Sequence, residues 1–338
     1  MTQEQKEILE RAGIGDATDV SRYGSGHINE TYKVETASGT RYILQRVNTS
    51  IFDERLLEKN VVRVTEFLKS KGVKSLEVVA YESPWRIYRF LEGYESHDVV
   101  EVPSQAYDVG RAFAKFQNDL ADIPPPRLGE IIPKFHDTPD RLRQLDEAIA
   151  RDVRGRLAGV GPELAFVDKW RERAGRIVGL MASGDIPERV THNDTKINNV
   201  MINARGEAVV IDLDTTMPGS ALFDFGDMVR TATAAAAEDE ADLSKVFSKR
   251  EYFEALARGY LEGARFLNAA ERANLVFSGM LATFEVGVRF LADYLAGDTY
   301  FHTAYAEHNL VRARNQFQMV KSLESLESDY ESIVKSLS

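Results

Sequence analysis

The sequence predicts an α+β fold in which a small, mostly antiparallel β lobe precedes a larger, mainly helical lobe. Short alternating segments rich in β-branched and aromatic residues occupy much of about the first ninety positions. Apolar residues at helical spacing dominate the remainder. Glu92-Gly93 interrupts the pattern between the two. We therefore divide the chain into an N-terminal lobe, residues 1–91, and a C-terminal lobe, residues 92–338.

The first lobe combines one sheet with two helices. The predicted strands lie on either side of a glycine turn within Val20–Val34, then at Arg41–Val47, Leu76–Tyr81 and Trp85–Leu91. A helix is predicted over the first dozen residues and another over Leu56–Lys71, since Leu57, Val61, Val64 and Leu68 form one apolar stripe.

Helices are predicted for most of the second lobe. They cover Ser104–Leu120, Asp140–Arg151, Pro162–Ala182 and much of 239–335. The acidic run Glu238–Asp242 is predicted to begin a helix, because negative charge suits a helix N-terminus. Residues 190–214 differ, because they form a strand, a loop and a hairpin within the helical lobe.

Composition excludes several classes of site. The chain has no cysteine, which excludes disulfides, thiolate zinc sites and a cysteine nucleophile. A net charge of −11 argues against a nucleic-acid partner, which would need a basic face. The polar N-terminus and the lack of a long apolar run predict no signal peptide, no membrane partner and a cytoplasmic location.

Residues 191–214 show the strongest chemical pattern. Asp194 is followed five residues later by Asn199, and then by two apolar runs separated by a turn. Folding this hairpin pairs residues whose numbers sum to about 410 or 411, which places Asn199 opposite Ile211 or Asp212. Amide and carboxylate oxygens are ligands that magnesium prefers. Asp194 would then be available to accept a hydroxyl proton.

Asp and Asn in loops more often serve turns and helix caps. The whole combination, H-x-D-x4-N followed by an apolar strand ending in Asp, matches the catalytic loop and metal-binding Asp of protein kinases. It predicts phosphoryl transfer and a protein-kinase-like two-lobe fold with a ligand between the lobes. Gly24, Ser25 and Gly26 fit a phosphate-covering loop, although an ordinary hairpin turn fits them equally well.

The chain resembles the aminoglycoside phosphotransferase and choline kinase group, and within it the N-acetylhexosamine 1-kinases. The matching stretches run along nearly the whole chain and include YGSGHINETY, FHDTPDR, RVTHNDTKINN, IDLDTTMPGSALFDFGD and VGVRFLADYLAGDTYF. The catalytic motif is shared by the wider group, whereas the last stretch is specific to the 1-kinases. The resemblance therefore implies both the reaction and a sugar acceptor.

The resemblance implies a catalytic centre for ATP and Mg²⁺. Asp194 resembles the catalytic base, and Asn199 and Asp212 resemble the magnesium ligands. His192 resembles a histidine that supports the loop backbone, and Asp224 and Asp227 are expected to brace that loop. The hinge, which should offer backbone groups to adenine, comprises Arg89, Phe90, Leu91 and Glu92.

On the acceptor side, Arg289 resembles a residue that contacts the sugar. Tyr300 is expected to line the same pocket, and Asp214 is similar to an acidic residue that faces the sugar or the metal. An arginine in the pocket disfavours a cationic acceptor.

One position departs from the protein-kinase pattern. The third strand should carry a lysine that holds the α- and β-phosphates, paired with a glutamate on the helix. Here the aligned residues are Gln45 and Asn60, which predicts a neutral pair. Neutralisation of the phosphates should then depend more on the metal, and we expect Gln45→Lys to leave activity within about tenfold.

The sequence thus favours an ATP-dependent kinase that phosphorylates O1 of N-acetylglucosamine or N-acetylgalactosamine. One alternative is a kinase of the same group acting on an amino alcohol, an aminoglycoside or homoserine. A second alternative, prompted by the missing lysine, is a non-catalytic nucleotide-binding protein.

Overall fold

The structure is a computed structural model, and it describes residues 1–24 and 28–337 of the chain. The chain forms two units, each built from three segments. The first unit comprises Met1–Ser96, Asp122–Pro133 and Met201–Met217. The second unit comprises His97–Ala121, Lys134–Val200 and Pro218–Ser338. The division after residue 91 stays a prediction about domains.

A five-stranded antiparallel sheet forms the centre of the first unit. Its strands are β1 (Ala17–Arg22), β2 (Glu30–Thr36), β3 (Arg41–Arg46), β4 (Val78–Glu82) and β5 (Trp85–Arg89). The strand order is β1-β2-β3-β5-β4, and the β3–β5 register places Gln45 directly opposite Arg86. Helices α1 (Gln3–Arg11) and α2 (Glu54–Ser70) complete this region.

The core of the first unit joins α1 to one face of the sheet. Ile8 and Leu9 of the helix are buried with Val34, Leu44 and Ile87 of the strands. The helix begins at a capping box, since the Thr2 hydroxyl accepts from the Gln5 backbone N–H and the Gln5 side chain accepts from the Thr2 backbone N–H. Local capping and apolar burial thus agree on where this helix begins and which face it buries.

The predicted hairpin is present in a second sheet. This sheet has the strand order β6-β8-β9, with β6 at Tyr94–Ser96, β8 at Val200–Asn203 and β9 at Ala208–Val210. The Asn203 N–H donates to the Glu207 carbonyl at 3.0 Å, so paired numbers sum to 410. Gly206 closes the turn with a φ of +75°, a conformation that favours glycine. The register is one of the two that the sequence predicts.

Helices make up most of the second unit. They are α3 (Pro103–Leu120), α4 (Thr138–Arg151), α5 (Gly161–Ala174), α6 (Arg176–Ser183), α7 (Ala221–Ala232), α8 (Arg250–Gly263), α9 (Ala269–Arg272), α10 (Leu275–Ala296) and α11 (His308–Leu337). Strand β7 (Arg189–Thr191) pairs with β10 (Met217–Gly219). The helix predicted from Pro162 to Ala182 is divided at Gly175 into α5 and α6.

The prediction that a helix begins at the acidic run was wrong. Asp242 instead caps a single 3₁₀ turn, where its side chain accepts from the Ser244 backbone N–H at 3.1 Å. The following α-helix begins only at Arg250. Asp favours such caps because its short side chain reaches backbone N–H groups two residues ahead.

Helix α10 is the central helix of the second unit, and it contacts α4, α7 and α11. Within the part of the chain that the structure describes, it is the one helix long and apolar enough to cross a membrane. However, 83% of its most apolar window is buried inside the protein, as expected for a core helix. It also carries Glu285 and Arg289, which belong to the candidate site.

Helices α3 and α8 approach closely where both lack a side chain. A Cβ on Gly259 would lie 2.1 Å from the Tyr107 carbonyl oxygen, and a Cβ on Gly110 would lie 2.4 Å from the Leu256 carbonyl oxygen. Gly259→Ala should therefore force the helices apart and lower the free energy of unfolding by about 2 kcal/mol.

Chemical denaturation monitored by circular dichroism measures this change. The matched control is Gly179→Ala in α6, where an added Cβ meets nothing within 4 Å. That control should be neutral, or stabilising by up to about 1 kcal/mol. If both substitutions changed the free energy of unfolding equally, close packing of α3 on α8 would not be the reason that position 259 requires glycine.

Candidate active site

The loop that carries Asp194 is held by two carboxylates of α7. The backbone N–H groups of His192 and Asn193 donate to Asp224 at 2.9 and 2.7 Å. The Thr195 N–H donates to Asp227 at 2.9 Å. The loop on either side of Asp194 is therefore fixed by hydrogen bonds to one helix, in agreement with the bracing role predicted for Asp224 and Asp227.

The two bracing carboxylates differ in their surroundings. Asp224 is fully buried and also accepts from the Gln117 amide at 2.6 Å. Burial raises the pKa of Asp224, and the hydrogen bonds only partly oppose that effect. For Asp227, burial also acts to raise the pKa, but the Arg230 guanidinium at 2.8 Å holds it below its usual value. Asp224 thus depends on neutral donors, whereas Asp227 has a cation.

His192 is a buried support of the same loop. Its Nδ1 accepts from the Asp194 backbone N–H at 3.3 Å. The ring packs edge-on against Phe113 and Phe116, with centroid distances of 5.2 and 5.9 Å. The histidine therefore contacts the backbone of Asp194 and leaves the carboxylate to other partners, as predicted.

The Asp194 carboxylate lies between an amide and an ammonium group. Its Oδ2 is 3.1 Å from Asn199 Nδ2 and 3.1 Å from Lys196 Nζ. The same Nδ2 donates to the Asp194 carbonyl at 2.8 Å, so the amide nitrogen faces Asp194. The amide oxygen of Asn199 accepts no hydrogen bond from any residue in 1–24 or 28–337, and it suits a hard cation. Sequence reasoning missed Lys196, although it lies two residues after Asp194.

The two acidic residues after β9 belong to the first unit and have different environments. Asp212 adopts a left-handed conformation, φ 57° and ψ 59°, at the start of a 3₁₀ turn. Asp214, in that turn, is buried: one carboxylate oxygen lies 2.6 Å from Arg86 Nη1 and the other accepts from Asn29 Nδ2 at 2.7 Å. The contact of Asp214 with a sugar or metal stays a prediction, and its visible partners are an arginine and an amide.

The predicted pair of Gln45 and Asn60 is wrong. The Gln45 Oε1 accepts from Arg86 Nε at 2.8 Å, and its Nε2 donates to Thr31 Oγ1 at 2.9 Å. Asn60 instead donates to the backbone carbonyls of Gly129 and Thr216. The cause is the β3–β5 register, which places the arginine opposite the glutamine. The sequence signal for Arg86 was a cation within the mostly apolar strand WRIYR.

The predicted nucleotide-binding region comprises a glycine turn and the hinge at residues 89–92. Gly24 has a φ of +78°, a conformation that favours glycine, whereas Ser25 and Gly26 lie outside the described residues. At the hinge, the Arg89 and Phe90 N–H groups already donate to the carbonyls of Glu77 and Arg41. The remaining backbone N–H groups of the hinge belong to Leu91 and Glu92.

Arg289 and Tyr300 come together in the second unit. The guanidinium carbon of Arg289 lies 5.8 Å from the centroid of the Tyr300 ring, 5.3 Å from that of Phe135 and 5.5 Å from that of Phe301. Tyr300 is 59% exposed, so its ring remains accessible. Arg289 forms no ion pair within residues 1–24 and 28–337, and its donors therefore remain available for a ligand.

A second polar connection joins α10 to the catalytic loop. His136 Nδ1 lies 2.7 Å from the buried Glu285 carboxylate, and His136 Nε2 lies 3.2 Å from the Asn193 carbonyl oxygen. Burial works to raise the pKa of Glu285, but His136 and the Thr138 hydroxyl hold it below its usual value. The two ring nitrogens of His136 thus connect the Glu285 carboxylate of α10 to the backbone of the catalytic loop.

The family follows from a comparison with known sequences. A sequence model described as "Phosphotransferase enzyme family" matches residues 19–273. The chain belongs to this phosphotransferase family. The match includes the loop of Asp194, the hairpin and the two bracing carboxylates of α7.

Several solved structures of kinases and phosphotransferases have a similar fold. A choline kinase from Streptococcus pneumoniae is 13% identical with a TM-score of 0.59, covering 96% of this chain and 100% of that chain. An ADP-bound aminoglycoside phosphotransferase, APH(2″)-Ib, is 12% identical with a TM-score of 0.61, covering 96% and 99%. An amicoumacin kinase in complex with AMP-PNP and Ca²⁺ is 15% identical with a TM-score of 0.57, covering 96% and 94%.

These likenesses confirm the predicted α+β, protein-kinase-like fold, with its antiparallel sheet and mainly helical part. The family match and the fold together describe the chain as a phosphotransferase with a protein-kinase-like fold.

Proposed function

We propose that this phosphotransferase is an ATP- and Mg²⁺-dependent N-acetylhexosamine 1-kinase. It would transfer the γ-phosphoryl group of ATP to O1 of N-acetylglucosamine or N-acetylgalactosamine, in the cytoplasm. The single observation that best supports the reaction is the Asp194 carboxylate, which is held by Asn199 and Lys196 on a braced loop. The choice of acceptor rests on the resemblance near Arg289 and Tyr300.

In this proposal Asp194 accepts the proton of the anomeric hydroxyl. The O1–phosphorus bond forms as the bond between the γ-phosphorus and its bridging oxygen breaks, and ADP leaves. The anomeric hydroxyl is more acidic than the other sugar hydroxyls, so a carboxylate is a sufficient base. Lys196, at 3.1 Å from that carboxylate, would bring positive charge toward the phosphoryl group.

The donor set suits a hard cation. Asn199 and Asp212 would hold the ion through one amide oxygen and one carboxylate, both ligand types that Mg²⁺ prefers. The ion would neutralise negative charge on the phosphates. On the nucleotide side, Gly24 and its neighbours Ser25 and Gly26 would cover the phosphates, and the hinge N–H groups of Leu91 and Glu92 would meet adenine.

Arg289 and the three rings around it, which we call the Arg289 cluster, suit a neutral polyol better than a cation. The rings are those of Phe135, Tyr300 and Phe301. Sugars combine an apolar ring face, which stacks on aromatic side chains, with hydroxyl and acetamide groups that accept hydrogen bonds. The cluster offers the exposed Tyr300 ring and a guanidinium with available donors. A positively charged amino alcohol or aminoglycoside would be repelled by the same guanidinium.

Phosphorus NMR of the product tests this proposal. Incubation with ATP, Mg²⁺ and N-acetylglucosamine or N-acetylgalactosamine should give a sugar 1-phosphate. An ADP-coupled assay over choline, ethanolamine, homoserine and an aminoglycoside provides the comparison, and each should react at least about tenfold more slowly.

A 6-phosphate, or preferred turnover of a cationic acceptor, would exclude the 1-kinase assignment. ADP formation with none of these acceptors, while ATP still binds, would instead favour the non-catalytic alternative.

A further inference from the structure

Arg86 is a buried cation on strand β5 of the first unit's sheet. Its side chain is 1% exposed, and it faces the Asp214 carboxylate, which is 4% exposed, at 2.6 Å. Gln45 accepts from the Arg86 Nε at 2.8 Å. Buried charges persist only when each is compensated, so Arg86 and Asp214 depend on each other.

The ion pair belongs to a longer polar chain. Asp214 also accepts from Asn29 Nδ2 at 2.7 Å, and Asn29 Oδ1 accepts from the Asn48 backbone N–H at 3.0 Å. Asn29 directly precedes β2, while Asp214 lies two residues after the proposed metal ligand Asp212. The polar chain therefore connects the start of β2, strands β3 and β5, and the 3₁₀ turn that follows Asp212.

The left-handed backbone conformation of Asp212 indicates what this polar chain stabilises. A non-glycine residue at φ 57° costs energy and persists only when surrounding contacts hold it. Asp214, in the adjoining 3₁₀ turn, is fixed by the guanidinium of Arg86. Because Arg86 is buried, any effect that it has on a metal ion must be indirect, through the position of this turn.

We propose that Arg86 is a positioning residue that replaces the strand lysine of other kinases, with Gln45 as the neutral partner that orients it. The cation has moved from β3 to the facing position of β5. It fixes the Asp212–Asp214 turn in the geometry that binds Mg²⁺. This inference rests on the proposed function, in which Asp212 is a magnesium ligand.

The inference reverses the earlier expectation for Gln45→Lys. A lysine at position 45 would place a second cation beside the buried Arg86 guanidinium, and like charges in a buried site repel strongly. We now expect this single substitution to lose at least about tenfold in kcat/KM for Mg-ATP.

A charge swap tests the proposal. The variants are Arg86→Gln, Gln45→Lys and the double variant that carries both, with Arg46→Gln as a control that removes an exposed cation from the same sheet. Calorimetry measures Mg²⁺ affinity in the presence of ADP and without any acceptor. Thermal unfolding measures the stability of each variant. Steady-state kinetics measures the KM for the sugar separately from the dependence of turnover on Mg²⁺ concentration.

Each single variant should weaken Mg²⁺ binding at least about tenfold, whereas the double variant should recover to within about threefold of the original protein. The KM for the sugar should change less than about twofold in every folded variant, and Arg46→Gln should bind Mg²⁺ normally. A merely structural arginine would lower the unfolding temperature and leave the Mg²⁺ affinity of the folded protein unchanged. That outcome overturns the proposal, as does a double variant no better than Arg86→Gln.

If both single variants fail to fold, the double variant alone decides. Folding with near-original Mg²⁺ affinity supports the charge relocation, and failure to fold or to bind Mg²⁺ overturns it. Since the binding measurement uses ADP and Mg²⁺ alone, its result is independent of which acceptor the kinase uses. Loss of the sugar assignment and loss of this inference can therefore be told apart.

Discussion

Asp194→Asn should lower kcat by about 10²–10⁴ while the KM values for ATP and sugar change by less than about fivefold. An asparagine has nearly the same shape, but it cannot accept the proton of the attacking hydroxyl. The neighbours of the carboxylate, Asn199 and Lys196, would remain to support the loop. Binding should therefore survive while the chemical step fails.

Steady-state kinetics with the ADP-coupled assay measures both parameters. Glu207→Gln serves as the matched control, because it makes the same carboxylate-to-amide change at an exposed hairpin turn. That control should keep kcat within about twofold. A kcat for Asp194→Asn within about tenfold of the original would mean that another group accepts the proton, and the base assignment would have to be abandoned.

Asp224→Ala should lower the free energy of unfolding by about 2–5 kcal/mol and abolish measurable turnover. The substitution would leave the buried N–H groups of His192 and Asn193, and the amide of Gln117, without their acceptor. Each unsatisfied buried donor costs about 1–3 kcal/mol, which makes this one of the larger effects expected from a single side chain.

Chemical denaturation measures the stability change, and Asp224→Asn provides the comparison. Asparagine keeps one acceptor oxygen and the shape of the side chain, so it should lose less stability than alanine. Equal losses in the two variants would indicate that packing volume, rather than hydrogen bonding to the catalytic loop, explains the importance of Asp224.

The parts of the fold governed by local rules could be predicted from the sequence. The five strands and α2 follow from alternation and from one apolar stripe. The hairpin register around Asn203 and Gly206 follows from the turn residues between two short runs. Capping by Asp242 looked the same as a helix start in the sequence, because acidic residues suit both.

The main errors concern residues that meet across strands or between distant segments. Gln45 and Asn60 were paired by analogy with a lysine and a glutamate, whereas strand register gives Gln45 to Arg86. The partner of Arg86, Asp214, lies more than a hundred positions further along the chain. No local pattern contains such pairings, since they depend on how the strands and segments assemble. Lys196 is different, because its spacing from Asp194 was visible in the sequence and was overlooked.

The three-segment construction of the first unit has a practical consequence for protein engineering. A fragment ending at Ser96 keeps Arg86 but loses 201–217, and with it the carboxylate of Asp214. Its buried guanidinium would have no counter-ion, which is strongly unfavourable. The N-terminal sheet alone is therefore unsuited to exchange between kinases. A chimaera with a stable sheet must also include the segment 201–217, which contains the hairpin and Asp214.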